Sequence, residues 1–185
     1  MFHHALGLTS GCRSFADGLR AAGHVVHTPD LYEGKTFSTL DEGIAHVKKA
    51  GFDTIMRRGR QAAEGLPSEL VYAGISLGVM PAQFLAQTRS GAKGAVLISA
   101  AIPASEFGGS WPGGVPLQIH LMEEDPLVRD EGDLDAAREL AATVEGAELF
   151  LYQGAEHLFV DDSVPDYDEA AAALLKERLL AFLGG

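Results

Sequence analysis

The sequence predicts an α/β fold, a mainly parallel sheet of about six short strands with helices on both faces. Three observations lead there. Short apolar runs alternate with amphipathic helical stretches along the whole chain. The strand candidates are bounded by turns rich in Gly, Pro, Asp or Ser. No repeat, low-complexity tract or linker breaks the alternation, so the 185 residues are expected to form one domain, 1–185, around a sizeable core.

The elements follow in order. Phe2 to Leu6 reads as a strand running into Gly7-Leu8-Thr9-Ser10-Gly11. A helix is expected from about Cys12 to Ala22, with Phe15, Leu19 and Ala22 at helical spacing and Gly23 as its stop. His24 to Thr28 is the next strand candidate, ended by Pro29-Asp30. From Leu40 to Glu64 the pattern is helical, but Gly51 and Gly59 interrupt it, giving two helices or a kinked one. Leu70 to Ile75 is a strand, and a helix runs from Ser76 to about Gln87, with Pro81 tolerable near its first turn. Ala95 to Ser99 is a buried strand. A loop from Ala100 to Gly114 then holds the sole tryptophan, Trp111. Pro116 to Met122 is a strand, Asp133 to Val144 an Ala-rich helix, and Glu148 to Tyr152 a strand. Tyr167 to Leu183 is the final helix, with Leu174, Leu175, Leu179 and Phe182 as its apolar positions.

Composition narrows the function. Hydrophobic content of 46% and charged content of 22% suit a globular protein. A net charge of −12 and a pI near 4.9 argue against nucleic acid and against anionic membrane surfaces as partners. Cys12 is the only cysteine, so an intramolecular disulfide and a cysteine metal cluster are both excluded. No basic segment precedes an apolar run at the start, and no run approaches membrane-span length. A soluble cytoplasmic location is the expectation.

The most informative stretch is Gly74-Ile75-Ser76-Leu77-Gly78, a G-x-S-x-G pattern where a strand passes into a helix. A serine on such a tight turn sits in a strained backbone conformation, and its neighbours must lack bulk. Its hydroxyl then projects above the sheet edge, and the N–H of Leu77 faces an incoming carbonyl oxygen. The competing reading is a helix N-cap serine between packing glycines.

A serine hydroxyl needs a base, and the base needs an orienting acceptor. In the strand-turn-helix arrangement both follow the nucleophile in chain order, on strand-end loops. Asp125 follows the strand ending at Met122, with Glu123 and Glu124 as competitors. His157 follows the strand ending at Tyr152, in Gly154-Ala155-Glu156-His157-Leu158-Phe159. Of the other histidines, His24, His27, His46 and His120 lack that placement. His3 and His4 lie at the end of the first strand, near the site on topology. Adjacent residues point to opposite faces of a strand, so the pair does not readily share a metal ion.

Taken together, these segments resemble the dienelactone hydrolase family of α/β-hydrolases. The resemblance is carried by His3-His4-Ala5-Leu6-Gly7-Leu8-Thr9, Thr28-Pro29-Asp30-Leu31-Tyr32, Gly74-Ile75-Ser76-Leu77-Gly78, Asp125-Pro126-Leu127-Val128 and the His157 segment. It implies a small hydrolase of the α/β-hydrolase fold without a large cap domain, and a triad of Ser76, Asp125 and His157. It also implies an oxyanion hole made by the N–H groups of Leu77 and Ala5. His4, Leu6 and Trp111 are expected to face the substrate, a small ester or lactone, with no cofactor required. A homodimer is the one assembly held open. The chain departs from the family pattern in three places. Members of the dienelactone type use cysteine where Ser76 stands and usually glutamate where His4 stands. They also carry a basic residue shortly after the catalytic histidine, where this chain has Asp161-Asp162. Two adjacent acids would repel an anionic substrate, so a neutral ester, or one with a cationic end, is the expectation.

Overall fold

Four parallel strands form the sheet of the computed structural model, which describes residues 1–184. They are β1 (Val71–Ile75), β2 (Gly94–Ile98), β3 (Leu117–Met122) and β4 (Glu148–Tyr152), side by side in chain order. The register aligns Ile75 with Ile98, Ile98 with His120, and His120 with Phe150. Strands β2 and β3 are buried at every residue, as expected where helices cover both faces of a parallel sheet.

Alternation along β2 shows the layering. Ala95 and Leu97 join Ile55, Val79, Leu85, Ile119 and Leu140 on one face. Val96 and Ile98 join Phe15, Leu19, Tyr152, Leu175 and Leu179 on the other. Helices α3 (Phe52–Glu64), α4 (Val79–Thr88) and α6 (Asp133–Thr143) cover the first face. Helices α1 (Ser10–Ala21) and α7 (Glu169–Gly184) cover the second. Helix α2 (Leu40–Ala50) precedes α3, and a one-turn helix α5 (Pro126–Asp130) follows β3.

Local chemistry explains the boundaries. Thr9 caps α1 by accepting the Cys12 N–H at 3.1 Å. Thr39 and Glu42 form a reciprocal capping box at the start of α2. Gly51, at φ 87°, divides the long helical pattern into α2 and α3.

About six strands were expected, and the sheet has four. The two missing ones form no ladder. Phe2 makes an isolated bridge to Gly74, donating its N–H to Ala73 at 2.8 Å and accepting from Ile75 at 3.1 Å. His4 then closes a turn by accepting the Gly7 N–H. In the His24–Thr28 segment, the Met1 ammonium donates to His27 O, and the other backbone bonds go back to α1. The His24 N–H donates to Leu19 O, and the Arg20 guanidinium donates to Val26 O. A side chain has taken an acceptor that a ladder would have used.

Candidate active site

The C-terminal edge of the sheet gathers the groups singled out by the sequence. Ser76 follows β1 at φ 50°, in a short 3-10 turn (Ser76–Gly78) that leads into α4. The flanking glycines are required by close approach rather than by φ. A Cβ on Gly74 would overlap the Gly78 carbonyl, and one on Gly78 would overlap the carbonyls of Phe2 and His3. The turn is therefore wedged against the first loop. This geometry distinguishes it from an ordinary helix cap, since the Ser76 side chain caps no backbone N–H of α4.

Ser76 Oγ lies 2.7 Å from His157 Nε2. On the other side of the ring, Nδ1–H donates to Asp125 Oδ2 at 2.6 Å. That donation leaves Nε2 as the acceptor for the serine hydroxyl. Asp125 is 1% exposed and His157 8%. Asp125 also caps α5, its Oδ1 accepting the Leu127 N–H at 3.0 Å, so the carboxylate is held from both oxygens. Glu123 and Glu124 are exposed, and their N–H groups tie this loop to Tyr152 O and Gly154 O. Of the three acids, it is Asp125 that accepts from the imidazole. The His157 loop is anchored in turn by buried Leu158, Phe159 and Val160.

The loop beyond β2 is clamped on the same edge. Gln83, fully buried in α4, exchanges two hydrogen bonds with the Ile102 backbone. Asp133 accepts the Ala101 N–H at 2.9 Å. Burial raises the Asp133 pKa, opposed by that hydrogen bond and by the nearby His157. Neither clamp was singled out in the sequence, where a glutamine and an aspartate on helices give no distinctive signal.

The first loop holds a second polar cluster. His3 donates from Nδ1 to His4 O at 2.8 Å and accepts the Leu31 N–H at Nε2, and burial lowers its pKa to about 4. His4 is fully buried. Its Nε2 lies 2.6 Å from Asp161 Oδ2, and its Nδ1 accepts the Leu6 N–H at 3.2 Å. Asp161, also fully buried, further accepts from Thr9 Oγ at 2.5 Å and from the N–H and hydroxyl of Ser163. Burial lowers the His4 pKa and raises that of Asp161. Several partners together outweigh burial in both: Asp161 and Cys12 raise the imidazole, and His4, Ser163 and Thr9 lower the carboxyl. With the Leu6 N–H directed at Nδ1, the proton that Asp161 accepts is the one on Nε2. Cys12 Sγ stands 3.8 Å from Asp161, and the three residues bring ligand atoms within 4.8 Å of one another. Hydrogen bonds already occupy the His4 Nδ1 lone pair and both Asp161 oxygens.

The remaining expectations fall as follows. Ala5 is buried, and among the described residues its N–H finds no hydrogen-bond acceptor. Leu77 is half-buried in the turn that begins at Ser76. His4 and Leu6, expected to face substrate, lie in the interior at 0% and 3% exposure. Trp111 is half-buried, packs against the core and donates Nε1–H to Val115 O. Asp161 turns inward, and Asp162 accepts from Ser14, so the paired acids do not act together as a repulsive patch. His120 is buried in β3 between Tyr152 and Gln118, its pKa lowered to about 3 by burial and by Arg178. A cavity of about 680 Å³ lies beside the other end of β1, lined by Met1, Leu19, Val26, Leu66 and Tyr72, away from Ser76.

The model of the dienelactone hydrolase family matches residues 1–185. The chain belongs to that family. Among curated proteins there is no match. Two solved structures show the same fold. One is a dienelactone hydrolase-like promiscuous phosphotriesterase from metagenomic libraries, 19% identical, with a TM-score of 0.72 over 99% of this chain and 84% of the other. The second is a protein of Klebsiella pneumoniae subsp. pneumoniae classed as a dienelactone hydrolase, 22% identical, with a TM-score of 0.68 over the same shares. Family and fold alike support a hydrolase. No helix among the described residues is long and apolar enough to cross a membrane. Within the dienelactone hydrolase pattern, two departures noted in the sequence meet in space: His4 and Asp161 are bonded to each other.

Proposed function

We propose that this dienelactone hydrolase family member cleaves a small carboxylic ester or lactone through an acyl-serine intermediate. The observation carrying the reading is the unbroken line from Ser76 Oγ through His157 to Asp125, with both distances below 2.8 Å. His157 Nε2 takes the hydroxyl proton as Ser76 Oγ attacks the carbonyl carbon. Asp125 holds the ring with its proton on Nδ1 and stabilises the imidazolium that forms. The N–H groups of Leu77 and Ala5 receive the oxyanion, each worth about 3 kcal/mol in the transition state. The imidazolium then protonates the leaving alcohol, the C–O bond breaks, and His157 activates a water to release the acid and restore Ser76.

A serine suits this arrangement. Where other members set a glutamate beside a thiol, this chain has a histidine that is turned away into the interior and bonded to Asp161. No gating carboxylate is needed for a hydroxyl already bonded to its base. The test is Ser76→Ala against a panel of p-nitrophenyl esters and lactones. Turnover should fall by at least about a thousandfold with the fold retained. Equal turnover by the two proteins would overturn the reading.

A further inference from the structure

We propose that the buried His4–Asp161 pair is a positioning device that fixes the Ala5 N–H relative to His157, so that oxyanion stabilisation depends on it. The inference rests on the ester chemistry proposed above and assigns a role to residues outside it.

The argument begins with what the His4 ring holds. Ala5 lies between His4 and Leu6. The ring accepts the Leu6 N–H at Nδ1, and the His4 carbonyl accepts from Gly7 N–H at 3.1 Å and from His3 Nδ1–H at 2.8 Å. The peptide on each side of the Ala5 N–H is thus pinned through one residue. The far side of the ring reaches Asp161, which is four residues past His157 and donates its own N–H to Leu158 O at 2.9 Å. A short bonded path therefore connects the loop carrying the base with the loop carrying the oxyanion donor.

The surroundings make that link stiff. Both side chains have no exposed surface. Asp161 Oδ1 accepts twice from Ser163, and Oδ2 accepts from Thr9 and His4. A Cβ on Gly11 would overlap the Asp161 carboxylate, so the first turn of α1 closes over it. There the helix N-terminus favours the negative charge. Misplacing a transition-state donor by about 1 Å can cost about a hundredfold in rate without weakening substrate binding. A pair that only supported the fold would leave kcat alone once the protein had folded.

The test measures kcat and KM on p-nitrophenyl acetate for the wild type, Ser76→Ala, His4→Phe, His4→Gln and Asp161→Asn, each with a thermal melt. Glutamine restores a donor where Nε2–H stood, and phenylalanine fills the space without one. His4→Phe and Asp161→Asn should lose about a hundredfold in kcat with KM within about threefold of wild type. His4→Gln should recover most of the loss. The inference is overturned if folded His4→Phe or Asp161→Asn keeps wild-type kcat, if the loss falls on KM, or if glutamine does no better than phenylalanine. Should His4→Phe not fold, the comparison of Asp161→Asn with His4→Gln decides by the same criteria. An inactive Ser76→Ala beside an unaffected Asp161→Asn removes this inference and leaves the ester reading standing. A wild type no faster than Ser76→Ala removes both.

Discussion

Asp125 does two jobs with one carboxylate, and they can be separated. Oδ1 caps α5 and Oδ2 accepts from His157. Asparagine keeps a good capping oxygen. Its amide nitrogen, facing the imidazole, would instead force the wrong tautomer. Asp125→Asn should therefore keep the melting temperature near that of the wild type while kcat on p-nitrophenyl acetate falls by about ten-thousandfold. At this scale the sequence was readable where chain order and strand-end placement constrain a residue. Ser76 directly follows β1, Asp125 lies on the loop after β3 and His157 on the loop after β4, and the structure brings their side chains together. His4 was not readable. Its ring lies against Asp161, 157 positions away, and no local pattern records that contact. The one available signal was chemical: a basic residue where the family has an acid, and an acid where it has a base.

Among the elements, the turn carrying Ser76 is the most constrained. Its glycines were legible as a motif, and packing supplies the reason for them. Gly78→Ala would drive a methyl into the carbonyls of Phe2 and His3, which are backbone and cannot swing aside. The substitution should destabilise the protein by about 1–3 kcal/mol in chemical denaturation. It should also lower kcat, because the displaced segment leads directly into Ala5. The longer helices were legible to within a turn, since Phe15 and Leu19 or Leu175 and Leu179 mark their inner faces by spacing alone, whereas the one-turn α5 was not expected. The two N-terminal strands were read as ladder members and are not. Their apolar pattern is that of a strand, but the first ends in the turn closed by His4, and in the second hydrogen bonds from Arg20 and to Leu19 divert the backbone groups that a ladder requires. Competition of that kind is invisible to periodicity.

For the molecule as a whole, buried histidines set the response to acid. Burial lowers His3 to about 4, and burial with Arg178 lowers His120 to about 3, whereas an unfolded chain protonates both near 6.5. As pH falls from about 6.5 towards 3, the unfolded state takes up protons that the folded state refuses, so stability declines. The loss should reach a few kcal/mol, at about 1.4 kcal/mol for each unit of displacement. Asp161, held below its usual range, adds a loss that begins near 3.8. His4, displaced upward, contributes no further change below 6.5. Urea midpoints measured at about pH 7, 5.5 and 4.5 should fall steadily, and replacing His120 with a neutral residue should flatten the slope. The overall architecture was legible because alternating strands and helices admit few arrangements. The substrate's charge was not, because the acidic pair that suggested it divides, one acid inward and one toward Ser14.

Arg20 has a consequence beyond shaping its own segment. Val25 is 86% exposed on an uncharged stretch outside the sheet, the sort of border that recruits strands from other molecules. The guanidinium seated on the Val26 carbonyl withdraws the acceptor through which such recruitment would begin. Arg20→Ala is therefore expected to aggregate on concentration, read by light scattering, with turnover on p-nitrophenyl acetate unchanged.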